Sequence, residues 1–502
     1  MEEGTHKVDD EAPHSIGINE LPNDAIVEIV SRLSRMNRRE AVRTSVLSRR
    51  WRYLSSFCSL PVTLVLDYRD LLPSDYMREK FIEWVDRVLR LHQDKSLDAL
   101  IIRSTSLQCR FIYDYLPTRR REDRETGDAD SWIYLAMHKK VRIFEFECPR
   151  YEFPNVGMLS SHLHGINSFA FVSLSFVDVR IEDEVVHYFL AKCPHLEKLC
   201  IRNSERIENL KVVDPRPNVK VLEISNCLYI NSLKISVTSL VSCTFEGDRI
   251  IFPFKENPNL SEITLGGNIA RSFIYEPKKH ASYSDKLEKL GLNILNMVGY
   301  QPPSQRSHHI YYHNNGGSES SDSFLRIQRP DLPRLCSLKH LELNLMLPVG
   351  KSIHFFVKFI NGSPLLKELR IKISYMVTDP RSDEKLGFPE ESPSTTVDRG
   401  RHKNLKVVKM SGYVGCSIDD KFILRLLNIA QSLKTVAIDT ESEYYDQKPW
   451  DCTTQCPKER RGPCGFCTTR DIGARTRIEA IRRAKLLKLS FPPKAKAVLI
   501  VT

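Results

Sequence analysis

The hexamers LEKLCI (residues 196–201), VKVLEI (219–224), LSEITL (260–265), LEKLGL (287–292), LKHLEL (338–343) and LKELRI (366–371) share one pattern, L-x-x-L-x-[LI]. Weaker copies start at Leu97 (LDALII), Val141 (VRIFEF), Ile166 (INSFAF), Leu240 (LVSCTF), Leu405 (LKVVKM) and Leu433 (LKTVAI). The starts at 196, 219, 240 and 260 are 23, 21 and 20 residues apart. An antiparallel sandwich places its strands every 8 to 12 residues or so, roughly half that spacing.

A period of about 20 to 29 residues is that of a leucine-rich repeat, in which each hexamer is a strand with its leucines turned into a stacked core. Longer gaps, such as 287 to 338, hold insertions. The side chains beside the leucines (Lys198, Cys200, Arg202; Glu342, Asn344; Glu368, Arg370, Lys372) are expected on the concave sheet. Solenoids bind partners on that surface.

At 502 residues and 58.0 kDa the chain exceeds one hydrophobic core. Its 74 Lys+Arg against 63 Asp+Glu leave +11 spread over the whole length, which steers partners weakly and does not itself indicate nucleic acid. The first twenty residues are acidic and polar, with neither a secretory nor a transit pattern. No apolar run is long enough to span a bilayer. The expected protein is intracellular, in nucleus and/or cytoplasm, with no membrane partner. An odd count of 13 cysteines agrees, with Cys200, Cys227 and Cys243 inside apolar runs as reduced thiols.

Ahead of the repeats, residues 1–18 are expected to be disordered. In LPNDAIVEIVSRL, Asn23 is a good N-cap, and Ile26, Ile29, Val30 and Leu33 share one helix face. Read as a second helix, AVRTSVLSRRWRYL (41–54) puts Val42, Val46 and Tyr53 on one arc and Leu47, Trp51 and Leu54 on another. Its arginines, at 43, 49, 50 and 52, share no face. A phosphate-tracking helix gathers its charge into a stripe, so the pattern suits a protein partner.

These two segments resemble the plant F-box, whose signature reads roughly LPDD followed by AVRTSVLSKRWRxLW. The resemblance implies docking on a Skp-type adaptor, and through it a cullin, by Leu21, Pro22, Ile26, Ile29, Leu33, Val46, Leu47, Trp51 and Leu54. Burial of half a dozen large apolar side chains contributes on the order of 10 kcal/mol gross, with Trp51 the foremost anchor. The turn before Ala41 is about three residues longer than the usual form, and Ser55 replaces the family's tryptophan. SWIYLAMHKKVRIFEF (131–146) is similar to the step into the repeats of plant F-box/LRR proteins. KNLKVVKMSGYVG, LLNIAQSLKTVAI and RAKLLKLSFPPKAKAVLIV resemble their FBD-type terminal module.

The expected fold class is α/β: a short helical F-box, a leucine-rich-repeat solenoid (horseshoe), and a C-terminal capping module. The F-box spans 19–57, a helical linker 58–95 and the repeat array 96–402, with loop insertions at 118–131, 299–335 and 378–402. The FBD-like module spans 403–502, with a Cys-rich insertion at 446–475. This order implies a non-catalytic substrate receptor of an SCF-type ubiquitin ligase whose protein substrate is unknown. The alternatives are a nucleic-acid-binding protein using the arginines, and an F-box scaffold outside any ligase.

Cys452, Cys456, Cys464 and Cys467 form C-x3-C-x7-C-x2-C. Four thiolates so spaced suit zinc, but only the C-x2-C half has strong spacing, so free thiols in a polar insertion are the preferred reading. His308, His309 and His313 lack nearby cysteines or carboxylates. Gly350-Lys351-Ser352 ends like a phosphate loop, yet Leu345 stands where the motif needs glycine. No cofactor or metal is expected.

Overall fold

The computed structural model describes residues 18–36, 43–44, 46–57, 62–70, 78–90, 97–104, 127–213, 218–227, 229–247, 257–294, 335–377, 402–447, 473–493 and 495–502. The four cysteines at 452–467, the three histidines at 308–313 and most of the three insertions lie outside them. Two compact units divide the chain: residues 1–148 with 169–171, and residues 149–168 with 172–502.

The first unit starts with helices α1 (Asn23–Met36) and α2 (Arg49–Phe57). Strand β1 (Val62–Asp67), helix α3 (Arg78–Arg90), strand β2 (Leu97–Arg103), helix α4 (Gly127–His138) and strand β3 (Ile143–Glu152) follow. The strands are parallel, with Leu64 beside Leu100 and Leu100 beside Phe144. Phe81, Val85 and Leu89 recur every fourth residue and bury one face of α3. The indole of Trp132 on α4 donates to Asp86 on α3 at 2.6 Å.

Three boundaries expected from sequence shift here. Residues 58–95 are not a purely helical linker, because β1 already joins the ladder. Its hexamer, PVTLVL, opens on Pro61 instead of leucine, which hid it. Residues 127–131, expected in a loop, are the first turns of α4. INSFAF is not a strand: Phe169 and Phe171 are buried, with Phe171 stacked on Phe144 at 5.9 Å, and the strand follows at Ser173.

The second unit contains α5 (Val156–His162), β4 (Ser173–Arg180), α6 (Asp183–Lys192), β5 (Lys198–Arg202), β6 (Asn209–Val213), β7 (Val221–Ser225), β8 (Ser232–Ser236) and β9 (Ser242–Glu246). Next come β10 (Glu262–Gly266), α7 (Asn268–Tyr275), β11 (Lys289–Ile294), β12 (His340–Pro348), α8 (Val357–Asn361) and β13 (Glu368–Met376). Last are β14 (Val407–Ser411), α9 (Ser417–Ile429), β15 (Thr435–Asp439), α10 (Arg477–Leu487) and β16 (Val498–Val501). The ladder β4-β5-β7-β9-β10-β11-β12-β13-β14-β15-β16 is parallel throughout.

In-register pairing stacks like on like: Leu174, Leu199, Leu222, Cys243, Ile263 and Leu290 form one buried row that runs on through Leu341, Leu369 and Val408. A single repeat cannot bury such a face alone. β6 and β8 pair separately as a two-stranded sheet, built from IENLKV and INSLKI, which are further copies of the hexamer. No break occurs at 402/403, since β14, β15 and β16 continue the same ladder beyond β13. His402, expected in an insertion, is buried, with Nε2 on the Ser363 carbonyl at 2.9 Å and Nδ1 receiving the Leu405 amide at 3.0 Å.

The loop from β14 to α9 turns on Gly412, at φ 81, where a Cβ would meet the Ile373 carbonyl oxygen at 1.9 Å. Beyond it lies Asp419, fully buried, accepting from the Tyr375 hydroxyl through Oδ1 while Oδ2 has no hydrogen-bond partner among the described residues. Burial raises its pKa from an ordinary 3.8 to about 7, against the hydrogen bonds from Tyr375 and Cys416 that favour the anion.

Gly412→Ala combines a left-handed φ with a backbone clash and is expected to destabilise the second unit by more than about 2 kcal/mol, read by denaturant unfolding. Asp419 binds its proton more tightly in the folded state than in the unfolded chain. Stability therefore falls as pH rises from about 4 to about 7, by at most about 1.4 kcal/mol per pH unit, and levels off above. Asp419→Asn is expected to remove this slope, so that the variant gains on the wild type as pH rises to 7. Parallel unfolding curves for the two proteins between pH 5 and 8 would contradict the assignment.

Candidate functional site

The helix pair at the N-terminus has its own small core. Ile26 and Val30 on α1 meet Trp51 and Leu54 on α2, and Leu21, Val27 and Ile29 pack partly against them. Trp51 is 1% exposed and its indole N–H has no partner among the described residues. Of the residues expected at the adaptor interface, Ile26, Trp51 and Leu54 thus lie inside the pair, Leu21, Ile29 and Leu33 are half-buried, and Pro22, Val46 and Leu47 are exposed.

The stretch 41–54 is not one helix. Val46 and Leu47 close a tight turn on the carbonyls of Arg43 and Thr44 at 3.1 and 3.0 Å. The Ser48 hydroxyl then accepts the Trp51 amide at 3.2 Å and starts α2 afresh. Serine so placed competes with continuous helix by satisfying the first amides of a new one. The two apolar arcs of the wheel therefore separate into a turn, with Val46 79% and Leu47 47% exposed, and a helix face that is buried.

Asn23 is in the first turn of α1, not before it, and its Oδ1 accepts from Arg50 Nε and Nη2 at 2.9 and 2.6 Å. Arg50 is a clasp between the helices. Tyr53, exposed at 63%, joins Val46 and Leu47 among the large apolar side chains left outside the pair. Its wheel arc with Val46 was the signal for it, though the turn breaks that arc.

A second candidate surface is the outward face of the ladder in the second unit. Cys200, expected to be exposed there, is buried between Ser175 and Glu223 of its neighbouring strands, and burial raises its thiol pKa to about 11. Further along, Asn344 donates to Asn293 at 2.6 Å and Asn293 donates to Glu246, whose side chain crosses Gly266 of the intervening strand. A Cβ on Gly266 would lie 2.4 Å from Glu246 Cγ, so glycine there opens the path for this polar rail. On β13 Glu368 meets Arg370 at 2.9 Å, Lys409 at 3.0 Å and His340 at 3.4 Å. Partial burial would raise its pKa, but the hydrogen bonds from Arg370 and Lys409 outweigh that and hold its carboxyl at about 2.

Among the described residues, a serine–histidine–glutamate grouping lies on α7 and the turn after it. Ser272 donates to Glu276 at 3.1 Å and lies 3.2 Å from His280, whose other nitrogen meets the Tyr283 hydroxyl. Ser272 and His280 are buried, and burial lowers the histidine pKa to about 3, so the ring stays neutral and ties the helix to its turn. Among the described residues no group of three or more His, Cys, Asp or Glu could hold a metal ion, and no helix is long and apolar enough to cross a membrane.

Family models match the chain in two places: an F-box domain over residues 18–63, and the At1g61320/AtMIF1 LRR domain over residues 123–309. Among curated relatives, a putative FBD-associated F-box protein of Arabidopsis thaliana is 28% identical over 454 residues, covering 84% of this chain and 92% of the relative. An F-box/FBD/LRR-repeat protein of the same plant is 21% identical over 468 residues, covering 86% and 92%. An Arabidopsis F-box/LRR-repeat protein reaches 40% identity over 127 residues, 24% of this chain and 32% of its own. The helix pair thus carries an F-box domain with a leucine-rich-repeat domain behind it, and over most of its length the chain is similar to Arabidopsis F-box/FBD/LRR-repeat proteins.

Proposed function

We propose that this protein is a substrate-recognition subunit of an SCF-type ubiquitin ligase, holding a Skp-type adaptor with its F-box and a target protein with its repeat face. F-box domains generally bind Skp-type adaptors. The observation that carries the reading is the division of apolar side chains in the helix pair: a closed core of Ile26, Val30, Trp51 and Leu54, and a turn that leaves Val46 and Leu47 in solvent. Exposed apolar residues next to a rigid core suit a preorganised docking surface.

In this role the chain performs no chemistry of its own. It acts by proximity, raising the effective concentration of target lysines near a conjugated ubiquitin. Within the expected adaptor set, Ile26, Trp51 and Leu54 hold the helices in place, while Pro22, Val46 and Leu47, with Tyr53 added, touch the partner. The nucleic-acid reading loses support because Arg50 is spent on Asn23.

Co-purification of the full chain with a Skp-type adaptor tests the assignment. Wild type is expected to retain the adaptor from low to high salt, as an apolar interface does and a phosphate-binding one does not. Val46→Asp with Leu47→Asp is expected to abolish retention while thermal unfolding stays unchanged. Trp51→Ala is expected to abolish it by a different route, losing about 3 to 5 kcal/mol of F-box stability. Wild type that fails to hold the adaptor, or a Val46/Leu47 double variant that holds it normally, would overturn the reading.

A further inference from the structure

The second residue of each hexamer precedes a strand, and in a parallel ladder these residues follow one another at the strand spacing of about 4.8 Å. From Glu197 to Lys339 the charged ones fall in pairs of opposite sign, with Val241 and Ser261 neutral between the pairs. Lys220 meets Glu197 at 2.7 Å and Lys339 meets Glu288 at 2.6 Å, each one ladder strand back. Each new cation finds a carboxylate one strand back.

The alternation stops at β13. The same position holds Lys367, Lys406 and Lys434 on three successive strands, joined by the Lys406 amide on the Lys367 carbonyl at 2.9 Å and the Lys434 amide on the Lys406 carbonyl at 2.8 Å. All three are exposed and none makes an ion pair with a described residue, Lys367 acting only at longer range on Glu288, a carboxylate already paired with Lys339. Beside them Arg370 and Lys409 share one carboxylate, Glu368. The outward positions from strand start to strand middle on β13–β15 thus carry five cations and a single acid, in a chain whose overall balance is 74 to 63. Like charges set side by side on adjacent strands destabilise a sheet, and the rest of the ladder avoids the arrangement.

We propose that this face of β13–β15 docks an acidic, extended peptide segment of the target, a substrate class that rests on the receptor reading above. Alternate carboxylates of an extended chain are about 6.6 Å apart, within reach of flexible lysines one or two strands apart. A protein ligand fits better than a nucleic acid. The outward positions of β13–β15 hold no aromatic on which bases would stack, and Glu368 and Asp439 would repel a phosphate backbone. Carboxylates of a peptide can be spaced to avoid them.

The test uses the purified full chain and a short peptide of alternating glutamate and serine, its glutamine counterpart, and a single-stranded oligonucleotide of equal charge. Wild type is expected to bind the glutamate peptide at least about tenfold more tightly than either control, with affinity falling as salt rises. Lys406→Glu restores the alternation, so it is expected to weaken the peptide about tenfold while leaving the unfolding midpoint equal or higher. A merely structural lysine would not separate these two readouts. Equal binding of the glutamine peptide, tighter binding of the oligonucleotide, or unchanged peptide affinity in Lys406→Glu would each overturn the proposal. Adaptor retention, measured on the same samples, reports separately on the receptor assignment.

Discussion

The repeat unit rests on the in-register stacking of one aliphatic side chain per strand on its counterpart in the next. A strand of five or six residues is too short to fold alone, and its leucines would lie open to water on both sides of the strand row. Parallel pairing places Leu199 on Leu222 and Leu341 on Leu369, so every strand completes the core of its neighbour. Everything beside those rows is left for other uses.

The F-box solves a smaller problem differently. Two short helices cannot bury much, so one large side chain closes the space between them. Trp51 does this at the cost of an indole N–H with no described partner, a penalty of about 1–3 kcal/mol that the apolar contacts must exceed. Arg50 on Asn23 fixes the helix ends, and Ser48 breaks the chain so that the turn before α2 leaves the core. A buried core and exposed apolar side chains are thus separated within nine positions of sequence.

Much of the repeat fold was legible because each hexamer carries its own signature. The errors came where that signature was shared or disguised. Phe171 ends one apparent hexamer, INSFAF, and starts the real one, FVSLSF; only the stacking on Phe144 decides between them. Pro61 disguised β1, and the copies behind β6 and β8 look identical to the others although they pair in a separate sheet. In the F-box a wheel drawn through Val46–Ser48 assumed a continuous helix that Ser48 interrupts. Burial and exposure at Trp51 and Val46 follow from that break and could not be read without it.

Charge placement was the least legible feature, because it depends on register. Glu197 and Lys220 are 23 residues apart in sequence and paired in space; neither looks notable until their strands are neighbours. Once the ladder is known, the second hexamer position becomes a column in which each residue must answer the one before. Alternating signs keep such a column neutral and stable, so a run of equal signs is a departure that the fold itself does not require. The same geometry that makes the leucines cooperate makes uncompensated charge conspicuous, and it does so far along the chain from the apolar turn of the F-box. In the proposed role the apolar contact would be insensitive to salt and the charged one responsive to it.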